Sequence, residues 1–364
     1  MEHAQLAGFF LALVITLFLV PLVRKRAIAA GFYDAPGERK IHRYPIPRLG
    51  GVGIWLGFML AFWLMVLFNW EYPHGSGVVG ILAGGSIIFA LGLIDDLYNI
   101  SPYVKLAGQF LAAVVAFYLG VQVNTLDLPG SKVLVLHAFS FPVTVLWLMA
   151  ISNAMNFIDG VDGLAGGVTT LSALTLAFVA VFTNQPVAAL LAALLAGASM
   201  GFLVFNFYPA KIFMGDSGAL FSGFTLAAIA VTGVLKTKVV VMLLPILVFC
   251  VPLIDITYST LRRLFQLKNP FIADGDHLHH KLLKAGNSQI RTVAYFYTIC
   301  VAAGMLATGY VNYLGYYLIV VCGLFLLAAG LIQLVRQFYP AQTLPEAANA
   351  TPAPPSAPIS EAGS

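Results

Sequence analysis

Carboxylates and carboxamides recur in this chain at spacings suited to holding a hard cation and the anions that accompany it. The richest stretch is Asn153 to Gly167, NAMNFIDGVDGLAGG, a polar, glycine-broken island between the apolar runs 141–150 and 168–182. Asn153 and Asn156 are three apart and share a helix face, whereas Gly160 and Gly163 free the backbone so that Asp159 and Asp162 can turn toward one point. Asp95 and Asp96 arrive together where the apolar run 78–94 ends. Two adjacent carboxylates there need a divalent cation, a lysine or a shared proton to offset their repulsion, and Lys105 follows at the start of the next apolar run. Asp216, in FMGDSG, is flanked by glycines that leave it room to reach a ligand. These five aspartates belong to a chain with only 15 acids in all, and with Asn153 and Asn156 they form an oxygen set that suits magnesium or manganese better than zinc. The plainer alternative is that they cap helix ends.

Two basic stretches accompany the acids. DGDHLHHKLL brings His277, His279 and His280 together beside Lys268, Lys281 and Lys284, which reads as an anion site for phosphate or a sugar hydroxyl. Zinc is the rival ligand, and a solvated loop facing anionic lipid is the plain one. In the segment RKRAIAAGFYDAPGERKIHRYPIPRLGG, Arg24, Lys25 and Arg26 need only a topological explanation. Lys40, His42 and Arg48 lie close enough to the second apolar run to meet a lipid phosphate.

The elements that must position these residues are membrane spans. Of 364 residues, 60% are hydrophobic and 9% charged, with a mean hydropathy of +0.90, whereas a soluble domain carries roughly 25% charged residues. The composition excludes an ordinary soluble protein and predicts an all-α, polytopic membrane helix bundle. Apolar windows of about 20 residues give eleven candidate spans, near 5–23, 49–69, 76–94, 103–120, 141–153, 164–182, 186–205, 217–235, 239–261, 292–311 and 314–335. The first is followed by its positive cluster and reads as a signal anchor, which puts the N-terminus outside and the C-terminus in the cytoplasm. With that orientation only Lys132, Lys236 and Lys238 of the 19 lysines and arginines fall outside, so the positive-inside bias supports it. Every chemical-looking cluster then lies on the cytoplasmic side. The segment 126–141 is the longest outer one, with the mixed polarity of a short hairpin or surface helix. A membrane domain over 1–336 is followed by a Pro-, Ala- and Ser-rich tail, 337–364, with the composition of a disordered segment. Cys250, Cys300 and Cys322 all fall in apolar runs and offer no metal spacing. The net charge of +4 is modest, and no nucleic-acid partner is expected.

Five motifs in order, DAPGERKIHRYPIPRLGG, LIDDLYNISPYVK, NAMNFIDGVDGLAGG, FMGDSG and DGDHLHHKL, resemble those of the polyprenyl-phosphate N-acetylhexosamine-1-phosphate transferases. These are bacterial membrane enzymes that start lipid-linked glycan synthesis, and the resemblance covers Asp34 to Gly286. The HLHH spelling is closest to the WecA type, which uses UDP-N-acetylglucosamine. The resemblance implies Mg2+ (or Mn2+) bound by Asp216 with help from Asn156, Lys105 on the diphosphate, and Asp95 and Asp96 near the reacting phosphates. It also implies Asp159, Asp162 and Phe213 on the nucleotide side and His277, His279 and His280 on the sugar side. A place in the bacterial inner membrane, with the active site on its cytoplasmic face, goes with it, and dimers are common among such enzymes.

The reaction so implied is attack of undecaprenyl phosphate on the sugar-linked phosphorus of a UDP-sugar, releasing UMP. Asp95 would orient or deprotonate the acceptor, with Asp96 supporting the metal or Lys105; an aspartyl-phosphate on Asp95 is the mechanistic rival. Other donors, carrying N-acetylgalactosamine, a deoxy-amino sugar or a muramoyl pentapeptide, are the alternatives within the class. A proton- or cation-coupled transporter is the alternative outside it.

Overall fold

A computed structural model describes residues 2–33, 46–68, 77–128, 132–233, 282–283, 286–310, 318, 321–322 and 325. Eight helices lead through most of it: α1 (Glu2–Ala29), α2 (Gly50–Leu67), α3 (Val78–Tyr98), α4 (Pro102–Tyr118), α5 (Ser140–Ile158), α6 (Leu164–Phe182), α7 (Pro186–Asn206) and α8 (Gly215–Thr232). A further helix, α9 (Gln289–Tyr310), packs against α6. Seven helices among the described residues are long and apolar enough to cross a membrane, and α4 is an apolar helix slightly shorter than these. The protein is therefore a polytopic, mostly helical membrane protein. The expected spans 239–261 and 314–335, the histidine motif, Lys40, His42 and the tail lie outside the described residues or largely so.

Start and stop signals explain the helix bounds. Ser101 caps α4 by accepting from the Val104 N–H, and Pro102 follows at the first helical position, where its missing N–H costs nothing. Asn99, in the left-handed region at φ 55°, ends α3. At the start of α6, Gly163 adopts φ +81°, a conformation that suits glycine. Of the two forms open to the segment 126–141, a hairpin or a surface helix, the hairpin is the one formed: β1 (Thr125–Leu128) pairs antiparallel with β2 (Lys132–Val135), Thr125 facing Val135, before a short 3-10 turn at His137–Phe139.

The buried centre is α7 and α8. Residues 188–206 of α7 are buried without a break, as are 217–231 of α8, because α1, α2, α6 and α3 and α5 wrap them. The surrounding helices keep large apolar side chains exposed, among them Phe18, Leu67, Tyr118 and Leu146, as a lipid-facing surface requires. Contacts tie the ends together: Arg24 near the end of α1 reaches the Lys211 carbonyl, the first N–H groups of α2 reach the Phe213 and Met214 carbonyls, and the end of α3, the start of α4, the end of α5 and the start of α8 meet around Asp216. Among the described residues the polar clusters therefore gather at one end of the bundle.

One expectation changes. The run 141–150 does not stop before the polar island; α5 continues through Asn153 and Asn156 to Ile158. The island is thus the last turns of α5, a tight turn over 159–163 and the first turn of α6. Helix continues because each asparagine finds a partner inside the bundle, which removes the cost of burying its amide.

Candidate active site

The centre of the site is an ammonium group held between two helices. Lys105, in the first turn of α4, places Nζ 2.8 Å from Asp95 Oδ2 at the end of α3 and in direct contact with Asp216 Oδ2 at the start of α8. Asn156, from α5, donates Nδ2 to the other oxygen, Asp216 Oδ1, at 2.9 Å. Four helices therefore supply one polar cluster around Asp216. Asp95 is held independently, since its Oδ1 accepts the Ile100 N–H at 2.9 Å from the turn between α3 and α4. The lysine that the acid pair called for is thus present, and it serves Asp95.

Asp96, one residue on, has different partners. Its Oδ1 accepts the Asp216 N–H at 2.8 Å, and its Oδ2 accepts the Ser217 N–H at 3.0 Å and the Ser217 hydroxyl at 2.6 Å. It caps α8 from a neighbouring helix. Gly215, before Asp216, has φ +73°, and a Cβ there would lie 2.1 Å from the Arg48 carbonyl oxygen and 2.6 Å from Asp96 Oδ2. Only glycine fits.

The loop that leads into α8 is itself tied down. Phe213 N–H binds the Pro47 carbonyl at 2.8 Å, while the first N–H groups of α2, from Gly50 and Gly51, bind the Phe213 and Met214 carbonyls at 2.9 and 2.8 Å. Arg24, which topology alone seemed to explain, donates Nε to the Lys211 carbonyl at 3.0 Å. Asn206, buried at the end of α7, accepts from Gly163 N–H and donates to the Ile212 carbonyl, both at 3.0 Å. Tyr297 of α9 donates its hydroxyl to the Gly163 carbonyl at 2.6 Å.

Asp159 and Asp162, which the glycines were expected to turn toward one point, have different surroundings. Asp162 Oδ2 accepts the Ala210 N–H at 3.0 Å and so braces the loop between α7 and α8. Asp159 faces the acids. Burial first, then the nearby Asp216 and Asp96 carboxylates, push its carboxyl well above the usual range; Arg48 and a backbone hydrogen bond from Gly215 pull the other way. Arg48 also lines a polar cavity of about 240 Å³ with Phe32, Tyr33 and Asp96.

Asn153 also departs from expectation. It is three residues from Asn156 but turns to α4, where it exchanges two amide hydrogen bonds with the buried Gln109, at 3.1 and 2.5 Å. Gln109, Asn206, Ser217 and Tyr297 escaped the sequence reading. The signal available for the first two was a lone amide within, or closing, an apolar helix, which must find a partner or pay its desolvation.

The donor set can be tested against a metal ion. Among the described residues no three His, Cys, Asp or Glu side chains form a metal cage. Magnesium does not require one, since it commonly uses one or two carboxylates plus substrate phosphates and water. Asp216 and Asn156 form such a minimal pair, and Lys105 already sits as a cation on the same carboxylate.

The glycosyl transferase family 4 profile matches residues 78–234, which carry Asp95, Asp96, Lys105, Asn156, Asp159, Asp162, Phe213 and Asp216. The chain is 34% identical over 295 residues to a probable undecaprenyl-phosphate N-acetylglucosaminyl 1-phosphate transferase of Bacillus subtilis, covering 80% of this chain and 81% of that one. It is 36% identical over 312 residues to decaprenyl-phosphate N-acetylglucosaminephosphotransferase of Mycobacterium tuberculosis, covering 79% and 77%. Over 300 residues it is 30% identical to the undecaprenyl-phosphate alpha-N-acetylglucosaminyl 1-phosphate transferase of Escherichia coli, covering 80% and 79%.

Proposed function

The chain belongs to glycosyl transferase family 4, among its polyprenyl-phosphate N-acetylglucosaminyl 1-phosphate transferases, and we propose that it moves N-acetylglucosamine 1-phosphate from UDP-N-acetylglucosamine to undecaprenyl phosphate. UMP leaves, and the sugar remains on a polyprenyl diphosphate that begins a cell-envelope glycan. The observation that carries this reading is the Lys105 ammonium bridging Asp95 and Asp216 with Asn156 on the free oxygen, at one end of an apolar bundle. A soluble nucleotide sugar and a lipid phosphate can meet only at such an edge, which the positive-inside bias assigns to the cytoplasm.

The chemistry brings one phosphate dianion up to a diphosphate, so the barrier is largely electrostatic. A Mg2+ ion held by Asp216 and Asn156 would neutralise charge on the diphosphate and on departing UMP. Lys105 would exchange a carboxylate partner for a diphosphate oxygen when the donor arrives. That exchange releases Asp95, which then faces the acceptor phosphate. A phosphate monoester has its second pKa at about 6, so Asp95 would orient and deprotonate the acceptor by accepting the hydrogen bond of the P–OH that the monoanion still carries. Arg48, in the polar cavity beside Asp96, is suited to the lipid-phosphate side, and Asp159, Asp162 and Phe213 to the nucleotide side. His277, His279, His280, Lys40 and His42 complete the proposal from sequence alone.

Among the described residues the transporter reading has no observation in its favour, because the clustered acids lie at one end of the helices and not at their midpoints. The deciding experiment is UMP release by purified protein with Mg2+ and undecaprenyl phosphate, each UDP-amino sugar being offered separately beside Asp216→Ala. Turnover of UDP-N-acetylglucosamine that disappears in the variant is the expected result. Turnover of another donor alone would overturn the sugar assignment, and folded protein that releases no UMP from any donor would overturn the reaction.

A further inference from the structure

We infer that Asp96 is a positioning residue that acts through Asp216 and does not itself meet the reacting phosphates, a role that rests on the reaction proposed above. The two adjacent aspartates look equivalent in sequence, yet their oxygens are committed differently. Asp95 holds Lys105, a cation that a diphosphate can compete for. Asp96 has both oxygens occupied by three donors from the first turn of α8: Asp216 N–H, Ser217 N–H and Ser217 Oγ–H. An anion at a helix N-terminus satisfies N–H groups that have no partner within the helix and meets the positive end of the helix dipole. Withdrawing Asp96 toward a substrate would expose those donors.

The packing around this cap points the same way. A Cβ on Gly92, one turn before Asp96 on α3, would lie 2.5 Å from the Ser217 Cα and 2.6 Å from its N. A Cβ on Gly51 of α2 would lie 2.1 Å from the Gly218 N. Two helices therefore approach the first turn of α8 at backbone distance, and the Asp96 carboxylate clamps it in rotation. Asp216 opens that turn. Its side chain meets Lys105 and Asn156 only because the turn is held in this orientation. Ser217, fully buried, becomes part of the device: its hydroxyl is the third donor to Asp96.

The test uses full-length protein in detergent or nanodiscs, with Asp96→Asn, Ser217→Ala and the double variant. Amide hydrogen exchange over 213–219 is expected to accelerate in both single variants. The Mg2+ concentration for half-maximal UMP release is expected to rise roughly tenfold in each, the usual effect of losing a group that supports a metal ligand. The double variant should be no worse than Asp96→Asn alone, because both remove one clamp. Faster exchange with an unchanged Mg2+ response would make the cap merely structural and overturn the inference. So would loss of turnover in Asp96→Asn at every Mg2+ concentration with unchanged exchange and a normal Ser217→Ala. If the wild-type protein releases no UMP, the reaction falls, while exchange still decides whether Asp96 clamps the helix.

Discussion

Lys105 is the residue on which the cluster balances. It separates Asp95 from Asp216, and all three side chains are largely buried. Lys105→Met would leave two facing carboxylates without their counter-charge, at a cost of about 3–5 kcal/mol where such pairs are buried. Turnover should fall by roughly 100-fold or more through the lost diphosphate contact, and thermal unfolding without Mg2+ should show the destabilisation; an unaltered melting temperature would contradict the bridge. Asp159 supplies a pH test. Its raised pKa means that the folded state binds a proton more readily than the unfolded chain. Its contribution to stability is therefore full below the ordinary carboxylate pKa and is lost as pH rises through the folded value. Asp159→Asn abolishes that loss. In EDTA the variant should melt above the wild type at neutral pH, the gap closing as pH falls below about 4, where both states of the wild type become protonated. At this scale the sequence reveals which residues can do chemistry but not their partners. Asp95 and Asp96 point about 100° apart on a helix, as any two neighbours do, so adjacency in sequence does not give them one partner.

The elements are registered by glycine seams and by one amide pair. Gly92 lets α3 touch the backbone of α8, so Gly92→Ala should force the helices apart at about 1–3 kcal/mol and lower turnover with no polar group removed. Retained full activity would show that the seam has slack. Gln109 and Asn153 lie one turn from Lys105 and Asn156 respectively, and their reciprocal bonds hold α4 against α5. Gln109→Leu alone leaves a buried amide unsatisfied, costing about 1–3 kcal/mol. Gln109→Leu with Asn153→Leu should recover much of that stability, and the double-mutant cycle on melting temperature measures the coupling. Sequence reading placed most helices well, because apolar length is a strong local signal. It cut α5 short at Asn153, because the buried partner that makes the asparagine tolerable comes from another helix.

Across the described helices, alternation of direction explains why their polar clusters gather at one end and the β1–β2 hairpin lies between the far ends of α4 and α5. A topology experiment follows in a cysteine-free background that keeps turnover. Cysteine at the exposed Tyr98 should react with an impermeant thiol reagent only in inside-out vesicles, and cysteine at the exposed Leu134 only in right-side-out ones. The same accessibility for both would break the proposed orientation. The sequence by itself determined the class of molecule, the candidate spans and the set of acids, amides and lysine at their ends, since hydropathy and residue type are local properties. Only the tertiary structure decided that Asp95 holds Lys105 while Asp96 clamps α8, that Asn156 reaches Asp216 while Asn153 meets Gln109, and that Asp162 braces a loop. Each of those choices depends on helix rotation and on a partner from another element, as far as 120 positions away in the case of Asp96 and Asp216, and no local pattern encodes it.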